Sequence, residues 1–530
     1  MSANPDLTQV ERDKLEINPD FDFREIARRP FEEISPGELA MFKWSGVYHQ
    51  LQPGFFMVRA VIPGGLVTTK QFNRAVELAE EFAKGELCIT TRQTLQFHWV
   101  RQQDIYKVIE GLAETGITTR NGCGDVPRNI IGSSLAGAAP EQIGDAHKII
   151  RMLATDPEIQ NQRNLPRKHK ISVAFANEAG AQTLSNCQGW VPVERNGVVG
   201  WKFHAGGGLG ARPYLAKVIF DWVPEELVLD VARATVEAFR RHGDRRVRSQ
   251  ARLKVVVDKL GSKVFAEMLM DILKERGIKH LDRIEIAKSP VPDIGKPLLN
   301  GQEVIPQKQA GLSVVRIMIP RSELKTAASR AISKLADQLG GGKIIFTHRQ
   351  NIELHDVPEK NVKPLLDALH AGGFCTGGHE HLPDIVACVG TTMCKMAASN
   401  APDAYYRLYE ALTRDEAYWK TIGPLQINIT GCPNNCAHAW IADIGLRGKR
   451  VRNEDGGNSE AYTVYVGGKL SEAGKIAEEL CNVPSENLAP AIRAILDTYL
   501  GKRLTRSETF HDFCERLGTE SLREFINGKL

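Results

Sequence analysis

Thr90-Thr91-Arg92-Gln93-Thr94-Leu95-Gln96-Phe97-His98 decides the fold, because the chain writes it twice. Thr347-His348-Arg349-Gln350-Asn351-Ile352-Glu353-Leu354-His355 follows 257 residues later. Upstream, Val58-Arg59-Ala60-Val61-Ile62-Pro63 is echoed by Val315-Arg316-Ile317-Met318-Ile319-Pro320. Arg59 against Arg316 gives the same offset of 257 as Arg92 against Arg349. Two matches at one offset, with no gap between them, mark an internal duplication. Within the first copy, residues 55–62 are an apolar, β-branched run and read as a strand. Phe72, Ala75, Val76, Leu78, Ala79 and Phe82 recur at helical spacing across 71–84. Residues 87–90 and 95–100 read as strands, and 104–112 as a helix. That order resembles half of a ferredoxin-like arrangement.

Outward from the repeat, Gly206-Gly207-Gly208-Leu209 is echoed more weakly by Gly467-Gly468-Lys469-Leu470. The glycine run lacks the Lys-Ser/Thr of a P-loop and the spacing of a dinucleotide site, so it reads as a tight turn. The expected fold is α+β, with two pseudo-symmetric halves, each a ferredoxin-like half-domain followed by a larger α/β unit. The expected boundaries are a polar N-terminal arm with no clear partner over 1–36, a first half-domain over 37–118, and a larger unit over 119–288. A Pro- and Gly-containing linker over 289–311 follows, then the second half-domain over 312–377 and the last unit over 378–530. Two related halves usually pack about a pseudo-twofold axis, which leaves room for a large ligand between them.

The bulk properties narrow the classes. The chain has 530 residues, 42% hydrophobic and 25% charged, an ordinary balance for a soluble globular protein. It contains no apolar run of about 18 residues, so no membrane span is expected. Its first 14 residues lack the apolar core of a secretion signal, and a cytoplasmic location is the expectation. A net charge of +4 does not suit a nucleic-acid protein, whose basic face is concentrated. It suits anionic substrates or an acidic partner protein. Ten cysteines in such a chain are not a disulfide framework.

Four of the cysteines are close-paired, as Cys388-x5-Cys394 and, after 37 residues, Cys432-x3-Cys436. Four thiolates supply one ligand per iron of a cubane cluster. Zinc also takes thiolates, but zinc ribbons favour a two-residue spacer that neither pair has. Pro433 starts a turn after the alternating run Leu425-Gln426-Ile427-Asn428-Ile429, so the following N–H groups can point at sulfur, as in an anion-binding nest. Cys123, Cys187, Cys375, Cys481 and Cys514 read as ordinary small apolar residues.

Here a resemblance becomes plain. Thr430-Gly431-Cys432-Pro433-Asn434-Asn435-Cys436, with Cys388-Val389-Gly390-Thr391-Thr392-Met393-Cys394, is similar to the signature of the sirohaem-dependent sulfite and nitrite reductases. The resemblance covers roughly residues 40–500. It implies a sirohaem and a [4Fe–4S] cluster held by Cys388, Cys394, Cys432 and Cys436, with Cys436 also ligating the sirohaem iron. It implies that sulfite is reduced to sulfide with six electrons; the alternative is nitrite to ammonia. No flavin or nicotinamide module is visible, so electrons are expected from a ferredoxin or a flavoprotein subunit.

Sirohaem carries carboxylates and its substrates are anions, which calls for clustered Arg and Lys. Arg59 interrupts an apolar strand, and a buried arginine must find anionic partners. Lys168 and Lys170 alternate, so both face one way, and an anion between them relieves their repulsion. The resemblance places Arg59, Arg128, Lys168 and Lys170 on substrate, and Arg92, Gln96, Arg167, Lys254 and Asn434 around the sirohaem. Arg252 is a further candidate beside Lys254. Lys168-His169-Lys170 resembles the sulfite reductases, where nitrite reductases tend to carry Lys-x-Asn. Two departures stand out. Cys88 lies where many relatives have arginine, and Val126 lies where some relatives have a cysteine crosslinked to a tyrosine, so no such bond to Tyr48 is expected. His98 and His355 recur in both copies and read as structural hydrogen-bonding groups. The rival class, a zinc-stabilised scaffold without catalysis, predicts a colourless protein and leaves Arg59 unexplained.

Overall fold

The computed structural model describes residues 7–296, 301–452 and 456–527. Residues 1–6 of the expected arm, 297–300 of the expected linker and 528–530 of the last unit lie outside them. Among the described residues, no helix is long and apolar enough to cross a membrane.

Both ferredoxin-like copies form as their patterns require. In the first, Phe55–Arg59, Glu86–Ile89 and Leu95–Arg101 pair antiparallel. The helix Thr69–Phe82 lays Phe72, Ala75, Val76 and Leu78 on the sheet. Thr68 caps it in a capping box with Gln71, which satisfies two donors that the helix start leaves open. The second copy repeats this with Leu312–Ile317, Lys343–Phe346, Ile352–Pro358 and the helix Thr326–Leu339.

The periodicity did not reveal that the copies exchange strands. Leu66–Thr68 of the first copy pairs with Lys343–Phe346 of the second, and Glu323–Lys325 of the second pairs with Glu86–Ile89 of the first. Each copy thus supplies the edge of its counterpart's sheet, and the two share one hydrophobic core.

Each copy is followed by a mixed sheet, and each of these has its own core. In the first, Ile131–Gly132, Ile171–Val173 and Gln188–Arg195 run parallel, then Val198–Ala205 and Lys217–Pro224 turn back antiparallel. In the second, Val386–Ala387, Ile427–Thr430 and Ile444–Arg452 run parallel before Asn458–Val466 and Glu478–Pro484 return. Gly206 follows the fourth strand of one sheet and Gly467 that of the other, both at positive φ.

Two expectations need correction. The linker over 289–311 contains the strand Val304–Pro306, which pairs with Leu312–Ile317 as Val47–His49 pairs with Phe55–Arg59. The span of three residues is too short to show a period. The N-terminal arm also has partners. Its helix Gln9–Glu16 buries Glu11 and Asp13, and the rings of Phe21 and Phe23 pack on Phe42. Lys14 contacts Asp125 at 3.1 Å, an ion pair that a polar composition does not announce.

Candidate active site

The four cysteines meet at the carboxyl ends of two neighbouring parallel strands. Cys388 follows Val386–Ala387, and Cys432 and Cys436 lie on the turn after Ile427–Thr430. Cys394 ends the short helix Gly390–Met393, which folds back so that its N–H reaches the carbonyl of Gly390. Asn435 takes φ +54°, which turns the Cys432–Cys436 loop sharply. The loop also orients backbone donors toward sulfur. The N–H of Gly431 donates to Cys388 Sγ at 3.1 Å. Cys394 accepts from the N–H groups of Met396 and Ala397, and Cys432 from that of Asn434. Burial pushes the Cys388 thiol up to about 12, and Cys436 and Cys432 add to it. Four thiols on adjoining turns, three of them facing amide donors, fit a cubane cluster, whose sulfur atoms accept such bonds. Cys436 is exposed, and Lys168 feels its charge.

The cations come from the first half. Residues 126–128 run parallel to 168–170, with Pro127 opposite His169. Side chains alternate along both segments, so Arg128, Lys168 and Lys170 project from one face while His169 turns into the core, against Gln188 and Phe239. Arg128 donates from Nε to the carbonyl of Gly122 at 3.1 Å, and Arg59 donates to the same oxygen at 3.3 Å. One shared acceptor holds two guanidiniums side by side. With its amide assigned so that the oxygen faces Arg59, Gln96 accepts from that guanidinium at 2.5 and 3.3 Å. Arg92 is buried and donates to Asn186 Oδ1 at 3.0 Å and to the carbonyl of Asn129 at 2.5 Å, while its Nε has no partner.

Loss of water lowers the pKa of Lys168 and Lys170 well below the ordinary lysine value, and neighbouring Arg and Lys charges lower it further. Both side chains are half-buried. Arg92 and Arg128 are lowered in the same way, first by burial. The carboxylate nearest the group is Asp125, and it is already engaged. It is 1% exposed and binds Lys14 at 3.1 Å, Arg167 at 3.0 Å and Arg248 at 2.5 Å. Among the described residues, no carboxylate forms an ion pair with Arg59, Arg92, Arg128, Lys168 or Lys170. A polyanion at this face resolves their repulsion, which is what a cofactor bearing several carboxylates supplies.

Not every expected cation aims freely at the cleft. Arg167 is tied to Asp125, and Lys254 donates to the carbonyls of Gly208 and Arg212 and lies over the ring of Tyr214. Asn434 is exposed on the cysteine turn. Arg252 joins the group more closely than its position in the sequence indicated. It is buried, its Nε is unpartnered, and it lies against Gly208, where an added Cβ would come within 2.8 Å of its Nη2. The glycine turn is therefore needed for close packing. Arg59 is half-buried rather than buried, and its partners are neutral. His98 has no hydrogen-bond partner, contrary to the structural bond expected of it, and burial pushes it down to about 3. Tyr48 lies near Cys123, Cys394 and Cys436, whereas Val126 packs on Met41 and Trp44.

Known proteins resemble this chain over nearly its whole length. Residues 123–276 and 380–530 match the nitrite and sulphite reductase 4Fe-4S domain, and 48–115 and 305–372 match the nitrite/sulfite reductase ferredoxin-like half domain. The chain is 29% identical to sulfite reductase [ferredoxin] 1 of Mycolicibacterium paratuberculosis, over 98% of this chain and 96% of that one. It is also 29% identical to the assimilatory ferredoxin-dependent nitrite reductase of Haloferax mediterranei, over 97% and 90%. The solved structure of the Mycobacterium tuberculosis NirA protein superposes with a TM-score of 0.86 at 27% identity, covering 98% of both chains.

Proposed function

Since the chain belongs to the nitrite and sulphite reductase family, whose cofactors are a [4Fe–4S] cluster and a sirohaem, we propose that it reduces sulfite to sulfide with six electrons from a ferredoxin. When bound, the cofactors supply an open iron position for the anion and electrons delivered one at a time. The chain's residues do the rest. Cys388, Cys394, Cys432 and Cys436 hold the cluster. Cys436, the exposed member beside Lys168, would serve the cluster and the sirohaem alike. Arg92, Arg252, Arg167, Lys254, Gln96 and Asn434 hold the sirohaem periphery, directly or by fixing a neighbour. Arg59, Arg128, Lys168 and Lys170 neutralise the substrate, and the two lysines would pass protons to its oxygens as these leave as water. Fixed positive charge where oxygen departs is electrostatic preorganisation. Lys168 and Lys170 suit the proton transfers, because burial and the neighbouring cations ease the loss of their protons.

The observation that carries this reading is the face of cations without carboxylates next to Cys436. Relatives named for nitrite are about as similar as those named for sulfite, so nitrite is the second reading. The charge pattern favours sulfite: a dianion uses the second ammonium, Lys170, better than a monoanion does.

Lys170→Asn tests the choice. A charge-assisted hydrogen bond contributes roughly 1.5–3 kcal/mol, so kcat/KM for sulfite should fall about ten- to a hundredfold per bound sirohaem. Nitrite should lose much less, since asparagine still donates one bond. An unchanged ratio of the two activities would remove Lys170 as the specificity determinant.

A further inference from the structure

The duplication gives the basic cleft a counterpart. A cavity of about 320 Å³ is lined by Arg316, Arg349 and Gly468, the second-copy equivalents of Arg59, Arg92 and Gly207. Its charge balance is the opposite of the first. Arg316 pairs with Glu380 at 2.5 Å and Glu353 at 3.4 Å, and Arg349 pairs with Asp384 at 2.6 Å. With both arginines matched by carboxylates, this cavity does not call for a polyanion as the first does.

At its rim, near the start of the helix Phe510–Asn527, stands a group that the reductase reading does not use. His511 is 4% exposed, and its Nδ1 lies 2.9 Å from the carbonyl of Gly467. A carbonyl only accepts, so Nδ1 carries the hydrogen, and in the neutral ring Nε2 presents a lone pair. That Nε2 is buried and makes no hydrogen bond. It faces a carboxylate oxygen of Glu515 at 3.4 Å. Asp512 adds a second carboxylate, and the three ligand atoms lie within 4.8 Å of one another. Acceptors facing at this distance repel unless a cation or a proton lies between them. A histidine that gives its other N–H to a backbone carbonyl is also how proteins orient imidazole toward a metal.

We propose that His511, Asp512 and Glu515 bind a divalent transition cation of the zinc or manganese type, clasping the start of the C-terminal helix to the Gly467 turn. The mixed nitrogen and oxygen donors suit that class of ion, and the cavity admits the waters that complete its coordination. Lys475, 3.5 Å from Glu515, competes for the same carboxylate. It distinguishes a metal site from an ordinary ion pair.

The test uses the holoenzyme with zinc as the probe, bound metal being counted after buffered dialysis. About one zinc per chain should bind beyond the iron, and zinc should raise the apparent Tm by mass action. Glu515→Gln, at an exposed position, should weaken zinc at least tenfold while iron and sirohaem contents stay unchanged. His511→Gln should do the same, and Lys475→Gln should tighten zinc severalfold. Zinc binding that is equal in wild type and Glu515→Gln, or that weakens in Lys475→Gln, overturns the site. So does an imidazolium at His511, seen by NMR at neutral pH with zinc present, because the proton then fills the gap.

Discussion

At the scale of single residues, Asp125 gathers three cations on one buried carboxylate. Its carboxyl holds three cations, Lys14, Arg167 and Arg248, and stays well below the usual carboxylate range, because these charges outweigh its burial. Removing one partner of a buried charge group typically costs about 3–5 kcal/mol. Asp125→Asn should therefore lower thermal stability and sirohaem retention together, while cluster iron is kept, as paired haem and iron analyses would reveal. A lowered folded pKa means that this stability is present above the unfolded value of about 3.9 and is lost as pH falls below it. Glu178 has the opposite sign. Burial pushes it up to about 7 although backbone N–H groups of Gly180 and Ala181 donate to it. An acid with a raised folded pKa disfavours folding as pH climbs from about 4.3 toward 7. Glu178→Gln should thus be more stable than wild type at pH 8 and lose that advantage near pH 4. The expected gain is about 3–4 kcal/mol, and thermal melts at both pH values would measure it.

Among the elements, the N-terminal helix Gln9–Glu16 is the one whose role the fold changed most. Lys14 donates to the carbonyl of Leu165 at 2.8 Å, and Glu11 binds Arg245 at 2.6 Å. The helix therefore seats on the segment that carries Arg167, Lys168 and Lys170. Lys14→Met should reduce sirohaem occupancy severalfold and leave the four-cysteine cluster intact. Lys14→Met and Asp125→Asn meet at one ion pair, so their effects should not add. A double-mutant cycle on haem content and Tm would check this, and simple additivity would separate the helix from the basic face.

For the whole molecule, strand exchange ties the two halves into one folding unit. Without Glu323–Lys325, the strand Glu86–Ile89 would be left as an open edge, which invites aggregation. Residues 1–296 expressed alone should be insoluble, whereas co-expression with 301–530 should give a complex that co-purifies and binds sirohaem. A soluble, monomeric first half would show that the exchanged strands are dispensable.

The sequence by itself determined the duplication, the fold class and the cysteine quartet, because each is written in local pattern: a repeat at one offset, the periods of helix and strand, and the spacing around a turn. It also placed Lys168 and Lys170 on one face, since alternation follows from an extended backbone. Only the tertiary structure decided which cations stay without a carboxylate. Asp125 and Arg128 are three residues apart, yet Asp125 draws Lys14, Arg167 and Arg248 to itself while Arg128 turns to Gly122. The exchanged strands, Leu66–Thr68 and Glu323–Lys325, are three residues each and show no period. The second cavity keeps the arginines of the repeat but meets them with Glu353, Glu380 and Asp384. Charge compensation of this kind depends on residues far apart in the chain that packing brings together, so no local pattern carries it.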